Sequence, residues 1–215
     1  MKKYEFTGEV KNFLGRTLHQ IRAVISFGSI NVGDLGGWIE KESNLSHSDN
    51  AWVSDKAQVC GNAQVYGNAR VSDKAQVCGN ARVCGNAWVS DNAQVCGDAW
   101  VSDNARVSDK AHVYGNARVY GDARVYGDAR VYGDARVCKS HHYLTISPIG
   151  SRSDVTTFFR TKELGISVAC GCFRGTIEEF TAEVIETHGD NDYAKQYAAA
   201  IELAKICIDL SPDEK

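Results

Sequence analysis

Alanine and valine stand two apart and recur every six residues, from Ala51 and Val53 to Ala135 and Val137, without an insertion. Valine occupies 53, 59, 65 and every sixth position to 137, fifteen phrases in all. Residues two apart on an extended chain share a face, so Ala57 and Val59 point one way while Gln58 points the other. Two residues after each valine but the last comes Gly or Asp, then Asn, Asp or Lys, which are turn formers that tolerate tight or left-handed angles. Each phrase is therefore predicted to be a very short strand followed by a corner. Such a unit cannot bury its Ala/Val face alone; it does so only if the chain winds and successive turns stack as a solenoid.

The texture differs on either side. Before the repeat, Leu18, Ile21, Ala23, Val24 and Ile25 make an apolar strand-like stretch, and Ile39 and Leu45 already stand six apart. The first coil is expected to begin near Val32, with a two-residue slip before Val53. Residues 1–50 then read as a β-rich cap, needed because a solenoid otherwise leaves its first strand edges open. After Cys138 the repeat stops. Tyr143 to Ser147, Val155 to Thr161 and Ile166 to Phe173 read as strands, rich in β-branched and aromatic residues. Thr176 and Glu179 have capping-box spacing ahead of Ile177, Phe180 and Val184, and Gly189 ends that helix. A second helix is predicted from about Asp192 to Ile208, burying Tyr193, Tyr197, Ile201, Ala204 and Ile208. Pro212 stops the tail.

The Ala-x-Val-x-Gly/Asp phrase resembles the hexapeptide repeat of left-handed parallel β-helix proteins. The segment Gly33-Asp34-Leu35-Gly36-Gly37-Trp38-Ile39, with Asn44-Leu45-Ser46 and Asn50-Ala51-Trp52-Val53, is similar more narrowly to hexapeptide-repeat proteins carried by phages and prophages, over roughly residues 1–138. The resemblance implies three phrases per coil and a left-handed winding; chain physics alone would favour a right-handed crossover. The fold class is then mainly β: a left-handed parallel β-helix, triangular in section, at 51–138, an N-terminal β cap at 1–50, and a small α+β C-terminal domain of βββαα order at 139–215. Five coils rise about 24 Å.

Three phrases per coil stack residues eighteen apart. The first outward face runs Trp52, Arg70, Trp88, Arg106, Arg124; the second Gln58, Gln76, Gln94, His112, Arg130; the third Gln64, Arg82, Trp100, Arg118, Arg136. The far end is ringed by arginine and by Tyr114, Tyr120, Tyr126 and Tyr132. Trp next to Arg on neighbouring coils is a cation–π pair, worth roughly 0.5–1 kcal/mol when exposed, or an interface anchor. Proteins of this fold are commonly trimers, so Trp52, Trp88 and Trp100 are the candidate interface residues of a homotrimer. Cys60, Cys78 and Cys96 stack within reach of a disulfide or a soft metal; the plainer expectation is a thiol ladder that fills space. Asp55, Asp73, Asp91 and Asp109 form a corner ladder, with Lys56, Lys74 and Lys110 placed to offset its charge.

Charge narrows the function classes. The net charge is −3, and basic and acidic residues number six and six in 1–50, ten and nine in 51–138, eight and twelve in 139–215. No segment is polybasic, so nucleic acid is a poor partner. Neither a secretory leader nor a run of eighteen apolar residues is visible, which predicts no membrane partner and a cytoplasmic protein, in a bacterial host on the phage resemblance, with its eight cysteines reduced.

Two enzyme classes share the fold. Its acyltransferases use a histidine base and a loop that interrupts the coils; here the phrases are uninterrupted and His112 is the only coil histidine. Its carbonic anhydrases need three histidines converging on zinc, which this coil lacks. No catalytic residue, metal or cofactor is assigned, and enzyme activity is the less favoured reading. The C-terminal domain offers more. Ser151 and Arg152 sit in a Gly-bounded turn, and Arg174, Gly175 and Thr176 lead a strand into a helix start, so these five residues are the candidate pocket for an anion such as a nucleotide. Cys170 and Cys172, on one strand face, would need His141, His142 or Cys207 to complete a metal set. His188 lies about 18 Å along the helix from Thr176, too far to share its pocket. The leading hypothesis is a non-enzymatic oligomer presenting a binding domain, its specific form being evasion of host defence by holding a signalling nucleotide or a host protein; a structural protein and an acyltransferase relative are the alternatives.

Overall fold

The computed structural model describes residues 2–213, and the repeat in it is a parallel β-solenoid of about six turns. Every phrase supplies a two-residue strand, from β4 (Trp52–Val53) to β18 (Arg136–Val137), paired in parallel with the strand eighteen residues on. Val53 meets Val71, Val59 meets Val77 and Val65 meets Val83, which sets three sheets around one interior. The alanines and valines of all fifteen phrases fill that interior and are closed to solvent. Short side chains are required because the three sheets face each other across a narrow section. Each coil donates its N–H groups to carbonyls of the next, as Trp52 N to Ala69 O at 3.0 Å and Ser54 N to Val71 O at 2.9 Å.

The corners follow the same logic. The residue two after each valine turns through left-handed angles, with φ of 55–59° at Asp55, Asp73, Asp91, Asp103 and Asp109 and glycine elsewhere. A Cβ on Gly79 would stand 2.8 Å from Gly97 N, so stacking as well as φ selects glycine there. The Asp ladder is satisfied by backbone: Asp55 Oδ2 accepts from Asp73 N at 3.3 Å, and Asp109 Oδ2 from Gly127 N at 2.9 Å. Neighbouring serines add hydroxyl bonds, such as Ser54 to Asp55 at 2.7 Å. The expected compensation by lysine is therefore replaced by N–H groups of the next corner. Asn50, Asn68, Asn86 and Asn104 form a second ladder of amide bonds, each about one coil apart. Cys78 and Cys96 are joined by a disulfide, with Cα atoms 4.7 Å apart, while Cys60 is a buried free thiol. Parallel stacking brings the two Cα atoms into disulfide range, so the thiol ladder expected from the repeat is oxidised over its last two rungs.

At the start, β1 (Tyr4–Phe13) and β2 (Arg16–Ala23) form an antiparallel pair that continues into β3 (Leu35–Ile39). β3 then joins the coil in parallel, Ile39 opposite Val59, and Leu45 bridges Val65. The two-residue slip is present, but the coil begins at β3 and not at Val32, which is exposed on a turn. Gly36 and Gly37 permit this entry: a Cβ on Gly37 would lie 2.8 Å from Ala57 O. The first face has no strand before β4, and the Lys3 ammonium covers its edge, donating to Ala51 O at 2.7 Å and to Ser48 O at 3.2 Å. Burial lowers the Lys3 pKa to about 8.

The far end is covered by a four-stranded antiparallel sheet, β19 (Tyr143–Ile149), β20 (Asp154–Arg160), β21 (Ile166–Cys170) and β22 (Phe173–Thr176), in that order. The single third strand expected from sequence is split by a turn at Gly171 and Cys172. Phe159 and Ala169 extend the coil's core, whereas Phe158, Ile166 and Val168 pack under α1 (Ile177–His188) and α2 (Asp192–Cys207). Tyr197, Ile201, Ala204 and Ile208 are buried as expected, but Tyr193 is 42% exposed. Side chains satisfy the last coil's donors: Thr157 Oγ1 accepts from Arg130 N at 3.0 Å and His142 Nδ1 from Cys138 N at 3.3 Å. Among the described residues no helix is long and apolar enough to cross a membrane.

Candidate functional site

Of the five residues expected to hold an anion, Ser151 and Arg152 line one groove, and Arg174, Gly175 and Thr176 are not among its lining residues. Thr176 caps α1, accepting from Glu179 N at 3.2 Å, and the Glu179 carboxylate returns to Thr176 N at 2.8 Å. Gly175 leaves room for that return, since a Cβ there would lie 2.6 Å from Glu179 Oε2. Arg174 turns the other way, its guanidinium 4.2 Å over the Tyr132 ring and bonded to Gly171 O at 2.8 Å. The helix start is thus occupied by the chain's own carboxylate.

Ser151 and Arg152 lie elsewhere, on the rim of a groove of about 230 Å³ between the β19–β20 turn, the Gly171 turn and the C-terminal half of α1. Arg152 Nη1 sits 3.2 Å from where a Cβ on Gly171 would stand. Phe173 and Phe180 form an aromatic wall, with ring centroids 5.1 Å apart. Tyr197 lies at the base, stacked on His188 at 5.8 Å, and its phenol pKa is raised by burial and by Cys170. Asp154 and Glu183 add two carboxylates to the lining of the groove. His188 is thus a groove residue that sequence spacing overlooked. Its distance from Thr176 holds, but the groove runs along α1 toward His188 instead of over the helix start.

Cys170 and Cys172 do not share a strand face. Cys170 ends β21 and takes a hydrogen bond from Thr156 Oγ1 at 3.1 Å, whereas Cys172 is exposed in the turn. Cys207 is also exposed, and His141 and His142 stand at the junction of coil and sheet instead. There Cys138, His142 and Asp213 bring donor atoms within 4.8 Å of one another, as do His141, His142 and Asp209. Arg160 Nη2 meets Asp213 at 2.6 Å and its Nη1 meets both ring nitrogens of His142 at 3.1–3.2 Å. Burial, Arg160 and His141 lower the His142 pKa to about 4. Burial and Asp213 push the Cys138 thiol up to about 11. A protonated thiol beside a neutral imidazole is not an activated nucleophile pair.

On the coil, Trp52 is 4% exposed, buried beneath Tyr4 and Phe27, so it cannot anchor an interface between chains. Trp88 is 41% exposed, with Arg106 at 5.7 Å over its ring; Trp100 is half-buried, with Arg118 at 5.2 Å. His112 is half-buried and tilted against Tyr114, which stacks on Tyr132; burial and Arg130 lower its pKa.

Comparison with known proteins bears on the coil. Six stretches, 63–79, 75–91, 93–109, 99–115, 111–127 and 123–139, match the family described as YdcK Beta solenoid repeat. The protein is a β-solenoid repeat protein. A protein of Escherichia coli strain K12 that carries the name uncharacterized acetyltransferase YdcK is 34% identical over 70 residues, which are 32% of this chain and 21% of that relative. The solenoid protein described here therefore spans about a fifth of the length of the curated relative it matches.

Proposed function

We propose that the β-solenoid protein is a non-enzymatic binding protein whose coil is a rigid spacer and whose C-terminal sheet and helices carry the recognition site. One observation carries this reading: the groove at Arg152, His188 and Tyr197 lies outside a coil that runs through fifteen phrases with no loop to enclose a substrate. One guanidinium, an imidazole and two carboxylates in a groove also lined by two phenylalanines suit a ligand with a phosphate, a hydrogen-bonding edge and a flat ring, which is the chemistry of a nucleotide. The similarity of residues 1–138 to phage-borne repeat proteins favours a role in a bacterial cytoplasm, withholding a signalling nucleotide from a host defence. Trp88, exposed, and Trp100, half-buried, each beside an arginine, are the anchors we assign to a homotrimer, which would present three grooves at once.

Thermal melting against a panel of nucleotides tests the reading. Stabilisation by at least one nucleotide, lost in Arg152→Ala and kept in Arg174→Ala, is the expected result; no response to any nucleotide would remove it. Light scattering checks the trimer, with Trp88→Glu expected to shift it to monomer. The relative's name favours a second reading, an acyltransferase. Stabilisation by acyl-CoA that depends on His112 would select that reading over ours.

A further inference from the structure

The junction cluster holds a cation that the fold cannot leave alone. Arg160 is 3% exposed, and a buried guanidinium without an anion is strongly unfavourable. Its other polar neighbours are uncharged: His142 at 3.1 Å, whose Nδ1 accepts the Cys138 N–H, and the Ser211 carbonyl, on the segment after α2, at 3.1 Å. Arg160 Nε is buried with no partner. The compensating charge comes from Asp213, in the extended segment after α2. Its carboxylate accepts from Arg160 Nη2 at 2.6 Å, from Cys138 Sγ at 3.1 Å and from the Tyr120 hydroxyl. These three donors belong to the sheet, the end of the coil and the coil's third face, and they converge on one anion.

We propose that Tyr120, Cys138 and Arg160 form a binding pocket for a carboxylate or phosphate group, which the chain's own Asp213 fills as a displaceable internal ligand. Accessibility supports exchange: the Asp213 side chain is 34% exposed while Arg160 is 3% exposed, so the anion's position opens to solvent and the cation's does not. Asp209 docks the same segment through His141 at 3.5 Å and Lys139 at 4.0 Å, contacts that are weak at an exposed rim. Tyr120 also lines a groove of about 260 Å³ with Trp100, Arg118, Arg136 and Asp103, whose two guanidiniums against one carboxylate leave space and net positive charge for the rest of an entering molecule. The same atoms do not suit a metal cation, because the guanidinium already stands among them and the His142 lone pair is used by the Cys138 N–H. This pocket and the Arg152 groove share no residue, so the two readings stand or fall separately.

Chemical rescue tests the pocket. Asp213→Ala should lower the melting temperature by about 5–10 °C in a chain of this size. Millimolar formate or inorganic phosphate, at ionic strength held constant with chloride, should restore at least half of that loss, whereas wild type should respond to neither. The rescue should weaken several-fold in Asp213→Ala/Tyr120→Phe and persist in Asp213→Ala/Arg152→Ala. Formate acting alone marks a carboxylate site, and phosphate acting alone a phosphate site. If Asp213→Ala does not fold, Asp213→Asn keeps the acceptor without the charge and is subjected to the same comparison. Absence of rescue in the variant that folds, or an equal response in wild type, overturns the proposal. So would stabilisation of wild type by zinc that is lost on removing Asp213, which would make the cluster a metal centre.

Discussion

The coil and the C-terminal sheet both bury their apolar side chains, but by opposite means. In the coil a single pair of small residues is reused fifteen times, and each turn touches only the turns above and below. In the C-terminal sheet a few large residues, Phe158, Phe180, Tyr197 and Ile201, come together from distant elements and pack as a conventional core. Repetition of Ala and Val at one spacing fills the interior with side chains closed to solvent, and outward Asp and Asn positions stack into ladders whose groups bond to the next coil. Irregular packing leaves grooves and unmatched charges. The two sites we propose accordingly draw on residues beyond the last coil, Arg152, His188, Arg160 and Asp213.

The largest expected effect separates the two kinds of core. Phe158→Ala removes a fully buried ring from beneath the helices and should cost about 3–5 kcal/mol. Because coil turns depend on their neighbours, hydrogen exchange should speed up across residues 143–208 while coil amides near Val77 stay protected. Uniform loss of protection along the coil would mean that the two regions unfold as one. A corner change should behave differently. Gly79→Val places a β-branched residue at φ of 69° and brings its Cβ against Gly97 N, for a cost of about 2–3 kcal/mol. Denaturant unfolding should show the cost, with exchange faster in the turns on either side and little change in the C-terminal sheet.

The junction gives a smaller effect that depends on pH. His142 titrates at about 4 in the folded chain against 6.5 when unperturbed. Between those values the unfolded chain binds a proton that the folded one refuses, so stability is full above pH 6.5 and falls as the pH drops toward 4. The loss is on the order of 2 kcal/mol. Asp213, held at about 2 by its hydrogen bonds against its burial, adds a further decline only below about pH 4. Melting curves from pH 7 to 4 should show the first step in wild type and a flattened profile in His142→Gln.

How much of this was legible in the sequence depends on range. A period of six fixes the strand-and-corner unit and its stacked Ala/Val interior, because every interior contact there is with a like neighbour, while the three faces followed from the resemblance to hexapeptide-repeat proteins. The capping box at Thr176 and Glu179 was equally plain, yet it was the reason the expected anion pocket fails: the carboxylate that marks the helix start also closes it. Trp52 shares its register with Trp88, and nothing near it in sequence reveals that Tyr4 and Phe27 fold over it. The slip between Leu45 and Val53 was visible as a break in period, but the entry at β3 depends on Gly36 and Gly37 meeting Val53 and Ala57. The Arg160 cluster joins positions 120, 138, 142, 160 and 213. No local pattern points to it beyond a cysteine at the last strand with two histidines close behind.

The smallest effect tests whether the coil's outward ladders stabilise the coil or serve an interface. Trp88 lies over Ser72, donating from Nε1 at 3.2 Å, and under Arg106 at 5.7 Å. If those contacts act only within one chain, Trp88→Ala should cost roughly 0.5–1 kcal/mol, the range of an exposed cation–π pair. Stability should then be independent of protein concentration. If the face is shared between copies, the same substitution should also remove a concentration dependence of the wild-type melting temperature, since subunit binding stabilises by mass action. Arg106→Ala separates the two further: it breaks the pair while leaving the indole exposed, so a ladder loses the same stability as in Trp88→Ala, whereas an interface anchored by the indole keeps most of its assembly.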